Sequence, residues 1–382
     1  NVISKCKELD ILIDIKTNPI LAFRNPLKTF FIILNGIYAL PKKVCFKGFK
    51  EIRIEDLPQI KCWKKDGGSF ITLPQVYSED VEDKGVLNSN LGMYRIQLCG
   101  NNFIQNKEIG LHYQIHRGIG VHQKKANDLG KPLKVSIFIG GPPAHTFAAV
   151  MPLPEGISEI AFAGVLAKRR FRYAKRNGYV ISSDADFVIC GEVHPNETKP
   201  EGPFGDHLGY YSLKHNFPVM RVKNVYAKEN AIWPFTVVGR PPQEDSQFGK
   251  LIHDITGFAL EKEIPGLKAV NAVDVAGVHP LLLAIGSERY TPYNPVKQPQ
   301  ELLTIANHIL GTGQMSLAKY LFICDEDVLL DINNENEYFT HFLERVNWKR
   351  DLHFHTKLTI DTLDYSGEDL HEGSKVVIAA AG

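Results

Sequence analysis

Residues 239–245, GRPPQED, divide the chain into two stretches with different apolar spacing, and that division constrains the fold more than any other feature. Ahead of it, from Gly68, short runs with two-residue alternation are broken by turns. SFITLPQVY, GMYRIQLCG, IGLHYQIHRGIGVH, VSIFIG, DFVICGEV, FPVMRVKNVYA and IWPFTVVG all predict strands. Two helices interrupt them, PAHTFAAV and SEIAFAGVLAKRR, the second with Ser158 placed as its N-cap. Behind the divide, FGKLIHDITGFALEKEI predicts a helix, AVNAVDVAGVHPLLLAI a strand, ELLTIANHILGTGQMSLAKY a helix and LFICDEDVLLDI a strand. That alternation is an α/β pattern. A chain of 382 residues has room for more than one compact unit. The expected division is a partial N-terminal α/β segment over 1–50, a β-rich part over 51–245 and an α/β part over 246–382.

Bulk charge narrows the function classes. A net charge of +1 with 44% hydrophobic residues describes a folded globular protein and excludes a nucleic-acid coat or a disordered tail. Cys6, Cys45, Cys62, Cys99, Cys190 and Cys324 stand singly with no CxxC pair, which predicts reduced thiols and a cytoplasmic location. The most apolar run, TFFIILNGIYAL, is shorter than the ~20 residues of a membrane helix and contains Asn35 and Gly36, so it predicts a core element. The chain opens on Asn1, and a native start upstream is expected.

Four motifs hold residue types suited to chemistry. NLGMYR sets Asn90 before an aromatic and an arginine; by itself it is an ordinary strand start. HYQIHRGIG puts His112, Gln114 and His116 on one face of a strand, a spacing more often structural than metal-binding. Glu159 follows Ser158 at a helix start, where the helix dipole already favours a carboxylate. EGPFGDHLGYY is the sharpest: a proline and glycines hold Glu201 and Asp206 at a set separation, with His207 directly behind. Close like charges and burial raise one carboxyl toward a neutral-pH proton donor, while an arginine beside the other keeps it ionised. The competing reading is a turn with exposed acids. LAKRRFRYAKR interleaves six cations with Phe171 and Tyr173 and could mark an RNA-binding patch. With so small a net charge, a solvated helix end or a contact between protomers is the preferred reading, and no nucleic-acid partner is expected.

In this order, LPQIKCWKKDGGSFIT, NLGMYR, HRG, PLPEGISEIAFAG, EGPFGDHLGYY, GRPPQED and GSK resemble the UbiD family of decarboxylases. The resemblance implies an α+β fold with a central split β-barrel related to FMN-binding proteins, flanked by α/β segments, in homodimers or higher homo-oligomers. It also implies a front domain longer than the one present. The implied reaction is loss of CO2 from an aromatic or α,β-unsaturated acid with prenylated FMN, with 4-hydroxy-3-polyprenylbenzoate in quinone biosynthesis as one candidate substrate. A flavin prenyltransferase would supply the cofactor, and a polyprenylated substrate would bring peripheral membrane contact. A flavin-binding or electron-transfer protein on the same fold is the alternative; it would be expected to lack one of Arg95, Glu201 or Asp206, and all three are present.

Carried over by motif, the ligands of a Mn2+-like ion fall on Asn90, His116 and Glu159, with His112 as the fallback and K+ as a further candidate ion. Cofactor contacts fall on Met93, Tyr94, Arg95, Tyr113, Gln114, Arg117, Gly118 and, at the phosphate, Lys375. The acid, arginine, acid network falls on Glu201, Arg95 and Asp206, which moves His207 to a supporting position behind them. Cys190 and Gln243 stand where relatives often carry Glu and Asp, which leaves the substrate pocket open.

Overall fold

The computed structural model describes residues 36–113, 118–153, 157–277, 279–291, 293–326 and 330–382, with the backbone alone for 253–262. It separates into two compact units. The first comprises 1–205 and 211–238, and the second 206–210 and 239–382.

The first unit is built on β1 (Lys42–Lys43), β2 (Phe49–Ile52), β3 (Phe70–Ile71), β4 (Gln75–Glu79), β5 (Ser89–Gly92), β6 (Ile96–Gln97) and β7 (Glu108–Leu111). Helix α1 (Gly118–Asp128), β8 (Leu133–Ile139), α2 (Pro143–Val150), α3 (Glu159–Ala167), β9 (Arg172–Arg176), β10 (Tyr179–Ser182), β11 (Phe187–Glu201) and β12 (His215–Lys228) follow. Nine strands form one sheet in the order β3-β6-β7-β12-β11-β8-β4-β5, with β2 on the far end of β12. Every pairing within it is antiparallel. Alternation along β8 turns Val135, Ile137 and Ile139 into a core shared with Val76, Ile96, Ile109, Ile189 and Met220. The long β11 shifts register between Cys190 and Gly191 and again between Val193 and Thr198, so its last residues, ending at Glu201, pair with His215–Pro218.

Some expectations fail here. IWPFTVVG is not a strand: Pro234 has no N–H to give a ladder, the Thr236 amide donates to Thr72 Oγ1 at 3.0 Å, and the Trp233 ring stands edge-on to Phe187. The end of IGLHYQIHRGIGVH is not strand either, because β7 stops at Leu111 and α1 starts at Gly118. Ile119, Gln123 and Ala126 are its buried face, a spacing of four and three that belongs to a helix. AVNAVDVAGVHPLLLAI, expected as one strand, is two: Leu267–Ala272 and Leu281–Gly286 pair antiparallel, with a 3-10 turn at Asp274–Ala276 after the first. Ser158 caps α3 by accepting from the Ala161 amide at 3.4 Å. Of TFFIILNGIYAL, expected as a core element, residues 29–35 lie outside the described residues, and the described part is not core: Ile37–Ala39 form a 3-10 turn with Ile37 and Leu40 about half exposed. The cations after α3 run on into β9, where Arg169 and Arg172 bridge Asp184 and Arg170 donates to the carbonyls of Leu40 and Pro41.

In the second unit, α4 (Glu244–Glu263), β13 (Leu267–Ala272), β14 (Leu281–Gly286), α5 (Gln300–Leu310), β15 (Tyr320–Asp325), α6 (Glu335–Arg345), β16 (Leu352–Thr359) and β17 (Glu372–Ala380) succeed one another. The sheet order is β13-β14-β15-β17-β16, parallel at its centre and antiparallel at both edges. Alternation sorts its two faces: Leu282 and Ala284 pack with Leu302, Ile305 and Ile309 of α5, whereas Leu283 and Ile285 pack with Tyr338 and Phe342 of α6. Helices thus cover both faces, as the near-continuous apolar run of β14 requires.

Candidate functional site

Arg95 follows β5 and Glu201 ends β11, and the first unit brings the two together. Arg95 Nε donates to Glu201 Oε1 and Nη2 to Oε2, each at 2.9 Å, a two-pronged ion pair with side chains only 8% and 1% exposed. Ser212 Oγ accepts from Arg95 Nη2 at 3.2 Å and from the Phe204 amide at 3.1 Å, and the guanidinium lies 4.8 Å over the Phe204 ring. The turn between them is clamped by groups that sequence reasoning missed. The Gly202 amide donates to Gln97 Oε1 at 2.9 Å, its carbonyl accepts from Asn101 Nδ2 at 2.8 Å, and the Gly205 amide donates to Asp66 Oδ1 at 2.8 Å. Gly202 holds φ +88°, a conformation other residues rarely adopt. Replacing Ser212 with alanine removes an acceptor shared by two buried donors. It is expected to lower stability by about 1–3 kcal/mol in urea unfolding.

Asp206–Tyr210, the second half of the same motif, belongs to the second unit. Asp206 Oδ1 accepts from the His207 amide at 2.8 Å and lies 3.0 Å from His207 Nδ1. His207 is therefore a direct partner of Asp206. Burial works against its imidazolium, but the Asp206 carboxylate, with Asp361 and Asp245 beyond, outweighs that and lifts His207 to about 9. Tyr210 anchors the turn by donating to the Leu363 carbonyl at 2.6 Å.

The other candidates fall into two groups. The Leu91 amide, next to Asn90, donates to Glu159 Oε2 at 3.3 Å, which sets those two ligand candidates side by side in the first unit. Burial raises the Glu159 carboxyl, and no cationic side chain among the described residues offsets it. A Cβ on Gly118 would come within 2.2 Å of Asn90 Oδ1, so this glycine is what lets the start of α1 approach the amide. Tyr94 is buried with its hydroxyl 3.2 Å from Asn90 Nδ2 and its ring 5.8 Å from that of Tyr113, while Met93 donates its amide to the Ala149 carbonyl. Gln114, His116 and Arg117 lie outside the described residues. His112, the fallback ligand, is buried with its ring 4.1 Å from that of Phe217.

Lys375 is in the second unit, on β17, buried and hydrogen-bonded to the Ser316 carbonyl. Burial, with Lys319 nearby, pushes it down to about 8 against the opposing pull of Asp364. An unfolded lysine keeps its proton to a higher pH than that, so the wild type is expected to gain stability relative to Lys375→Met as pH rises from about 8 toward 10.5. Denaturant unfolding across that window tests the sign; each unit of depression is worth about 1.4 kcal/mol. Of the two departures, Cys190 is buried 3.9 Å from Ser136 Oγ, and Gln243 Oε1 accepts from the Asp245 amide at the start of α4.

A family profile described as 3-octaprenyl-4-hydroxybenzoate carboxy-lyase Rift-related domain matches residues 39–241, more than half of the chain. The chain belongs to the UbiD family. The profile of the UbiD C-terminal domain matches residues 246–380. Over 339 residues the chain is 38% identical to a component of 4-hydroxybenzoate decarboxylase from Chlamydia pneumoniae, a match that covers 88% of this chain and 55% of that protein. An uncharacterized protein of Archaeoglobus fulgidus is 33% identical over 351 residues, 90% of this chain and 69% of that one. The chain thus spans about half the length of the chlamydial relatives it matches. Among solved structures, vanillic acid decarboxylase of Sedimentibacter hydroxybenzoicus in its closed form superposes with a TM-score of 0.78 at 24% identity, covering 93% of this chain and 75% of that one. The UbiD-class enzyme HmfF of Pelotomaculum thermopropionicum, in complex with FMN, gives 0.68 at 20% identity, with 91% and 77% covered. At such identities the likeness speaks to the fold.

Proposed function

We propose that the chain is the catalytic part of a carboxy-lyase that removes CO2 from an aromatic or α,β-unsaturated acid with bound prenylated FMN. The observation that carries this reading is the buried, two-pronged Arg95–Glu201 pair, which holds a planar cation in a dry setting where a substrate carboxylate needs one. The names of relatives support a hydroxybenzoate-type substrate, with a polyprenylated 4-hydroxybenzoate as one member of that class. The open nine-stranded sheet is read as the split barrel that binds cofactor, residues 51–245 as its domain and 246–382 as the C-terminal one.

Bound prenylated FMN would supply the electron sink that no side chain offers when a carboxylate leaves an sp2 carbon. Arg95 orients the substrate carboxylate, and Glu201 keeps Arg95 charged and in place. Asp206 delivers the proton after CO2 has gone; because its carboxylate pairs with His207, it must first take up that proton, and the His207 imidazolium is the adjacent donor. Asn90 and Glu159, with His116, would hold a Mn2+-like ion. An amide oxygen beside a partly buried carboxylate with no cationic side chain to balance it among the described residues suits such an ion, which would grip the cofactor phosphate. Met93, Tyr94, Tyr113, Gln114, Arg117, Gly118 and Lys375 are assigned to the cofactor. A cytoplasmic homo-oligomer served by a flavin prenyltransferase completes the reading.

Glu159→Gln is expected to abolish the bound-Mn2+ signal in electron paramagnetic resonance and to reduce cofactor retention on gel filtration by about tenfold or more. Mass spectrometry of flavin bound after co-expression with a flavin prenyltransferase tests the cofactor. Recovery of unmodified flavin, or none, from correctly folded protein would count against the assignment.

A further inference from the structure

The strongest unassigned cluster is in the second unit, where three segments distant in sequence converge on His207, His279 and Asp361. Gly277, at φ +92°, makes the approach possible, because a Cβ there would come within 2.0 Å of Leu208 Cδ2. Tyr210 ties the same turn to Leu363, and Asp361 Oδ1 accepts from the Leu363 amide at 2.8 Å. One potential ligand atom from each of His207, His279 and Asp361 lies within 4.8 Å of the others. His279 Nδ1 is 2.6 Å from Asp361 Oδ2, and the two imidazole rings stand edge to face with centroids 5.6 Å apart.

A second observation is independent of that clustering. His207 is more than nine-tenths buried, its Nδ1 is taken by Asp206, and its Nε2 is buried with no hydrogen-bond partner among the described residues. A buried imidazole nitrogen left without a partner carries a desolvation cost that a bound ion would remove. The Asp206 carboxylate holds the proton on Nδ1, so an ion that displaces the Nε2 proton meets the arrangement found where a carboxylate orients a metal-binding histidine, and binding is expected to strengthen as pH rises. Two imidazoles and one carboxylate form a donor set for zinc-class transition metals, whereas Mg2+ and Ca2+ prefer oxygen alone. Tetrahedral ligands at about 2.0–2.1 Å from an ion stand roughly 3.3 Å apart, so an ion would replace the 2.6 Å His279–Asp361 hydrogen bond and draw in the wider contacts of the set.

The geometry points to a divalent transition-metal site formed by His207, His279 and Asp361, distinct from the Asn90–Glu159 candidate and joining three segments of the second unit. The probe is Co2+, whose visible absorption reports coordination directly, backed by Zn2+ titration calorimetry on the untagged full chain after chelator treatment. The test is made in a Glu159→Gln background, so that failure of the Mn2+ assignment and failure of this one are separable. The expected result is one Co2+ bound per chain, a tetrahedral absorption band displaced by Zn2+, and a Zn2+-dependent rise in melting temperature. In that background Asp361→Asn, which preserves shape, and His279→Ala are each expected to weaken Co2+ binding by about a hundredfold. If His279→Ala does not fold, Asp361→Asn decides. Absence of Co2+ binding in the Glu159→Gln chain, or equal affinity in folded Asp361→Asn, overturns the site.

Discussion

Arg95→Ala is expected to abolish CO2 release and to lower folding stability by about 3–5 kcal/mol, the cost of stripping the partner from a buried carboxylate. Glu201 is 1% exposed, so the variant leaves its carboxylate buried without a cationic partner. Glu201→Gln should cost nearly as much activity and also lower stability, because the amide keeps one acceptor for Arg95, turns an N–H toward its other prong and leaves the buried guanidinium without a counter-charge. Replacing both together, as in Arg95→Met with Glu201→Leu, should recover much of the stability and none of the turnover. Urea unfolding and substrate turnover, measured on the same preparations, separate the two roles. An unchanged urea midpoint in Arg95→Ala would contradict the pairing, and retained turnover in the double variant would contradict its chemical role.

Asp206→Asn is expected to lower kcat by about 10²–10⁴-fold with little change in KM, as for loss of a general acid acting after substrate has bound. The amide oxygen can still accept from the His207 amide and Nδ1, so the turn should keep its shape. Asp206→Glu should restore part of the rate, since it returns a carboxyl group at a longer reach. Steady-state kinetics at matched cofactor occupancy provide the readout. Full turnover by Asp206→Asn would remove Asp206 from the proton step.

The sequence made the β-rich first part and the alternating second part legible, because apolar period follows directly from which faces are buried. It failed where a tertiary partner decides the local structure. IWPFTVVG has strand composition, yet Pro234 and the Thr72 hydroxyl divert its backbone from any ladder. The start of α1 reads as strand because two glycines and two β-branched residues precede its polar, more clearly helical half. Glu201 and Asp206 were visible as a pair, but their assignment to different units was not, since it depends on contacts made far along the chain. Ser212, Gln97 and Asn101 carried no motif that could have singled them out, and Asp66, although inside LPQIKCWKKDGGSFIT, carried no role there. Each is an ordinary polar residue that matters because strand pairing and the 201–205 turn bring it to an orphan backbone or guanidinium donor or, for Asn101, to a carbonyl. His279 and Asp361 were invisible for the same reason, and His207, first read as merely supporting, gains a direct bond to Asp206 and an open Nε2.

The most direct measurement is 13CO2 exchange into a panel of hydroxybenzoic and α,β-unsaturated acids by the full chain co-expressed with a flavin prenyltransferase, beside Arg95→Ala at equal flavin and Mn2+ content. Label incorporation into at least one acid is expected for the wild type, and none above background for the variant. No incorporation by flavin-loaded, Mn2+-loaded wild type across the panel, or equal incorporation by Arg95→Ala, would contradict the proposed reaction.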